Sequence, residues 1–149
     1  MNSKEKVLQE LIRLLNSRID EIKNAITLLR ESRDNESKSS AGDKYETGRA
    51  MAQIELDKLE QQLQNQNTLQ TELLKIQPKV VSEKVSFGSL VNTSTGKYFI
   101  SVGLGKIALD QEIIYAVSLA SPIGQALMGT QQGDMITFNA NSIQILNVE

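Results

Sequence analysis

Residues 41–51 read AGDKYETGRAM and place Asp43 and Glu46 three residues apart, at the point where a helical pattern begins. A spacing of three puts both carboxylates on one side of the helix start. Two carboxylates so placed can share a hard divalent cation such as Mg²⁺. That ion takes six oxygens in octahedral geometry, so Asp43 and Glu46 form half a site, which a partner would complete. The same pair also reads as a capping box, with Asp43 accepting a first-turn amide and Glu46 reaching back. Both charges favour the positive end of the helix dipole. Gly42 lets the chain turn ahead of them.

The rest of the composition narrows the chemistry. The chain of 149 residues has no Cys and no His. That excludes a Cys nucleophile, a His base, a Ser-His-Asp triad, a Cys/His zinc site and a disulfide framework. Aromatic residues make up 4% with no Trp, which leaves few side chains to stack on bases. A net charge of −2 gives no global attraction to nucleic acid. The opening MNSKEKVLQE has no signal-like apolar core, and no run approaches the roughly 18 apolar residues of a membrane span. The expectation is a cytoplasmic protein with no membrane partner.

Two elements must position the pair. Leu8, Ile12, Leu15, Ile19, Ile22, Ile26 and Leu29 recur in steps of four and three, a heptad seam widened by Leu11, Leu14 and Leu28. A second helical pattern runs from about Tyr45 to Ile76, with Met51, Ile54, Leu56, Leu59, Leu63, Leu69, Leu73 and Ile76 as its apolar face. Gln62, Gln64, Gln66 and Gln70 read as solvated surface. A loop of about ten residues, with Asp34, Glu36 and the serines of 37–40, would join them into an antiparallel hairpin. Thirty helical residues span roughly 45 Å, which would set the 34–46 tip far from the second half. Lys4, Lys6, Arg13 and Arg18 are interspersed with acids and read as a solvated face.

Pro78 ends the helical half, so the boundary falls between a coiled-coil finger, 1–77, and a second domain, 78–149. Alternating runs predict strands over 85–92, 97–102, 113–119, 134–139 and 142–148, with turns at TSTGK (93–97) and NANS (139–142). Between them lies SPIGQALMG, 121–129. Ser121 suits an N-cap, Pro122 the first helical position and Gly129 the C-terminal cap. The fold class is α+β: a helical hairpin followed by a small, mostly antiparallel sheet with one short helix.

These residues resemble the bacterial Gre-type transcription elongation factors (GreA/GreB-like). The family's tip motif has the form Gly-Asp-x-x-Glu-Asn, and Gly42, Asp43 and Glu46 stand at those positions. The segment 117–138, VSLASPIGQALMGTQQGDMITF, is similar to the family's Ser-Pro segment through Ser121, Pro122, Ile123, Gly124, Leu127, Met128, Gly129, Gly133 and Asp134. This second match is the more specific, and the resemblance covers nearly the whole chain. It implies an FKBP-like second domain that docks at the mouth of RNA polymerase's secondary channel through Ser118, Ser121, Pro122 and Ile123. It further implies that the coiled coil enters the channel. Asp43 and Glu46 would then help hold a Mg²⁺ in the polymerase's own active site, so that backtracked RNA is cut. The chain would be a monomeric activator with no cofactor of its own, touching nascent RNA indirectly.

The chain departs from the family pattern after the motif. Thr47 replaces Asn, Arg49 stands where an acid is usual, Ala50 where Tyr is usual, and Ala120 takes the place of an acid before Ser-Pro. A channel-binding regulator without cleavage activity is therefore a second reading, and a coiled-coil adaptor a third. A peptidyl-prolyl isomerase would need an aromatic hollow built from Phe87, Tyr98, Phe99, Tyr115 and Phe138, which fall in several strands.

Overall fold

The computed structural model describes residues 2–39 and 43–149, and the side chains of 2–35 and 46–149. Its elements are α1 (Ser3–Ser39), α2 (Asp43–Leu74), β1 (Leu90–Thr93), β2 (Gly96–Ser101), β3 (Gly105–Leu109), β4 (Glu112–Ser118), α3 (Pro122–Leu127), β5 (Met135–Phe138) and β6 (Asn141–Val148). The class is α+β. The chain divides into two compact units, Arg13–Gln70 and Met1–Ile12 with Thr71–Glu149. The second unit therefore includes the first turns of α1 and the last turn of α2, a different partition from a cut at residue 77. Among the described residues, no helix is long and apolar enough to cross a membrane.

Within the unit Arg13–Gln70 the helices run antiparallel. Arg30 pairs with Glu60 at 3.0 Å, Arg33 donates to Gln53 at 3.2 Å, and Gln70 donates to Asn16 at 2.5 Å. On α1 the expected seam holds: Leu15, Ile19 and Ile26 are buried, Ile22 and Leu29 half-buried. Leu28 instead points to solvent, 67% exposed. On α2 the inward face is Ala52, Leu56, Leu59, Leu63, Gln66 and Gln70, continuing to Leu73 beyond the unit. These positions alternate steps of four and three. Met51 and Ile54, expected in the seam, fall on the outer side and stand 64% and 57% exposed. Gln66 and Gln70, expected on the surface, lie in the seam. The heptad geometry selects its positions by angle, and at two of them the sequence supplies amides.

In the other unit the sheet order is β3-β4-β2-β1-β6-β5. Four pairings are antiparallel, and β2 pairs with β4 in parallel from Lys97↔Ile114 to Ser101↔Ser118. The expected strand over 85–92 shortens to Leu90–Thr93. Gly88, at φ +92°, turns the backbone beside Ile76, while Val85 bonds to Thr130 and Gly129 instead. Strand β3 was not foreseen. It forms a hairpin with β4 through Asp110 and Gln111, both at positive φ. One sheet face carries a core of Val85, Val91, Ile100, Leu127 and Ile145. On the other face Leu90 and Ile114 bound a small hollow with Val7, so the start of α1 lies there.

Candidate functional site

Asp43 is the first residue of α2, and Glu46 lies one turn further on, exposed. α1 runs to Ser39, so residues 34–39, expected in a loop of about ten residues, are helical. Three residues, 40–42, separate the two helices. Pairing of Arg33 with Gln53 keeps the helices together close to this end, which leaves little chain for a long loop. Gly42 and the side chain of Asp43 lie outside the described residues. The capping bond and the ligand geometry expected of Asp43 lie there too. Among the described residues there is no group of three or more acidic side chains that could hold a metal. The side chain of Asp43 is not among those described, so the half-site expected of Asp43 and Glu46 stays an expectation.

The Ser-Pro segment is built as its local chemistry dictates. Ser121 is the N-cap of α3, with φ −69° and ψ 153°. Its Oγ accepts the Gly124 amide at 3.1 Å and donates to the Ser118 carbonyl at 2.6 Å. Pro122 follows at the first helical position, where no N–H is needed. The Met128 amide donates to the Gly124 carbonyl at 3.0 Å, and Gly129 takes φ +79° just beyond. Of the four residues expected to meet a partner, Pro122 is exposed and Ser118, Ser121 and Ile123 are half-buried. Ile123 packs against the core cluster, so its side chain is partly committed to the fold. The four lie together at the junction of β4 and α3.

The five aromatic side chains do not collect. Tyr98 and Tyr115 stack with centroids 5.6 Å apart, on neighbouring parallel strands. Phe99 is fully buried, one residue along β2 and therefore on the other face. An aromatic hollow of the kind an isomerase needs is not assembled from these five.

Sequence reasoning missed Lys4. Grouped with a solvated basic face, it is 5% exposed, and its Nζ donates to the Val80 carbonyl at 2.7 Å. Burial pushes its ammonium below the ordinary 10.5, with the Glu149 charge acting in the opposite direction. A signal was present: positions 4, 8, 11 and 15 follow the same four-three alternation as the apolar seam. Lys6, two residues on, reaches Asp110 at 3.3 Å across the unit.

Neither the protein-family models nor the curated proteins compared with the chain gave a match. Among solved structures, that of the transcription factor Gfh1 is similar at a TM-score of 0.34 and 17% identity, over 93% of this chain and 92% of that one. A likeness of this size carries no argument about fold or function.

Proposed function

We propose that this protein is a transcription elongation factor that binds bacterial RNA polymerase. Its helical hairpin enters the secondary channel, and its tip carboxylates promote cleavage of backtracked RNA. The observation that carries the reading is the pairing within Arg13–Gln70. Antiparallel helices joined by three residues bring Asp43 and Glu46 to the turn end of the hairpin. There a half-site of two carboxylates can be presented to a metal held by another molecule. Two shared metals stabilise both the attacking and the leaving oxygen of a phosphodiester. Asp43 is the principal ligand, and Glu46 orients the metal or its water. The hydrolytic centre belongs to the polymerase. The β4–α3 junction, with Ser118, Ser121, Pro122 and Ile123, is the docking surface at the channel mouth.

The test is a backtracked complex of the polymerase with Mg²⁺, to which the protein or its Asp43→Asn variant is added. Shortening of the RNA 3′ end with the wild type but not the variant supports the reading. Binding without shortening makes the protein a channel-occupying regulator. Loss of binding altogether leaves the adaptor, for which exposed Leu28, Met51 and Ile54 offer apolar contacts on the hairpin.

A further inference from the structure

Lys4 is a charged side chain almost removed from water, in a position that costs free energy unless its charge is answered. An ammonium has three protons to give. In this structure one goes to the Val80 carbonyl, while the charge of Glu149 favours the ammonium. Lys4 lines a cavity of about 190 Å³ within the unit that holds the sheet. The same cavity is lined by Lys75, whose Nζ reaches Glu72 at 2.8 Å, and by Ser82, Ser86 and Ser89. Ser89 is 2% exposed; its Oγ accepts the Ser86 amide at 3.0 Å and keeps its own proton to donate. Two lysines and three hydroxyls thus line one small space. A group rich in acceptor oxygens and negative charge can take the protons that the ammonium groups and hydroxyls have left to give.

We infer that this cavity, between the start of α1, the end of α2 and the segment 82–89, binds a small oxyanion of the phosphate class. Lys4 supplies the buried charge, Lys75 the charge at the rim, and Ser86 and Ser89 the hydroxyl donors. Glu72 pairs with Lys75 and the Glu149 charge acts on Lys4, so a bound anion competes with both, and the cavity volume keeps it small. A phosphate free in solution and the terminal phosphate of a nucleotide share this chemistry.

The test uses the full chain, titrated with inorganic phosphate against chloride at constant ionic strength. Thermal unfolding and the ³¹P line width are both followed. Wild type gains a saturable rise of about 2–4 °C, and the phosphate line broadens. Lys4→Met loses both, and Ser86→Ala weakens binding by roughly 5- to 10-fold. Phosphate also stabilises proteins by exclusion from their surface, but that effect does not saturate and survives Lys4→Met. A rise that is linear, or equal in wild type and Lys4→Met, overturns the inference. Should Lys4→Met not fold, wild-type amide shifts confined to 82–89 on phosphate addition serve in its place, and their absence is equally decisive. Adenosine 5′-monophosphate is then added in competition. Displacement of phosphate identifies a nucleotide's terminal phosphate as a ligand, and its failure identifies the free anion.

Discussion

A β-carbon at Gly124 would overlap the carbonyl oxygen of Ser118. The clash is with backbone, which has no rotamer to yield. The first turn of α3 can approach the end of β4 only because residue 124 has no side chain. Ser121 Oγ sits in the same knot, bonded to both residues. Gly124→Ala is therefore expected to cost about 1–3 kcal/mol or more, as overpacking does. A fall in the thermal midpoint of at least several degrees checks this. Ser121→Ala should cost about 1 kcal/mol through the lost cap. Both changes should weaken polymerase binding if the β4–α3 junction docks there.

The seam of α2 carries its own weak point. The Oε1 of Gln66 is buried with no hydrogen-bond partner among the described residues. A buried acceptor left unpaired costs about 1–3 kcal/mol. Gln66→Leu removes that cost and adds apolar contact, so the hairpin should gain at least 1 kcal/mol. The expected readout is a higher urea midpoint followed by helical circular dichroism. A lower midpoint would show that the amide is satisfied in solution.

Two hairpins turn on residues that pay for a left-handed backbone. Gln111 and Ala140 have φ of +65° and +66°, as second residues of the β3–β4 and β5–β6 turns. Primed turns of this kind favour glycine. Ala140→Gly creates an Asn-Gly turn and should stabilise by about 0.5–1 kcal/mol, with Gln111→Gly similar. Chemical denaturation of each variant is the check, with no change in slope.

Lys4 gives stability a pH dependence whose sign follows from its burial. Its folded value lies below 10.5, so between that value and 10.5 the unfolded chain holds the extra proton. Stability conferred at this position therefore rises as pH climbs through that window, and is flat below it. Other lysines and tyrosines titrate nearby, so the readout is the difference between wild type and Lys4→Met. The gap between their urea midpoints should shift in favour of wild type as pH approaches 10.5. A constant gap would mean that Lys4 titrates like a surface lysine.

Local rules were enough for several features. Ser121, Pro122 and Gly129 set the bounds of α3 because capping and proline chemistry act within one turn. The 93–97 and 139–142 turns followed from glycine, threonine and asparagine, and the heptad of α1 from its isoleucines and leucines. The alternation of β4 and β6 was legible because each buries one face. The rest needed partners distant in sequence. Strand β3 has a weak pattern, and its pairing with β4 supplies what its own residues lack. The parallel match of β2 to β4 joins strands separated by β3, a choice no local signal encodes. Helix α1 continues through 34–39, where polar residues read as loop, because helix propensity is a weak prior beside the pairing of Arg30 and Arg33 across the hairpin. Which face of α2 turns inward depended on α1, so Met51 and Ile54 went outward and Gln66 inward. Lys4 shows the same principle most sharply. Its type predicts a surface residue, its spacing assigns it to the seam, and only the segment at Val80, brought back over α1 by the fold, decided that its charge would be buried.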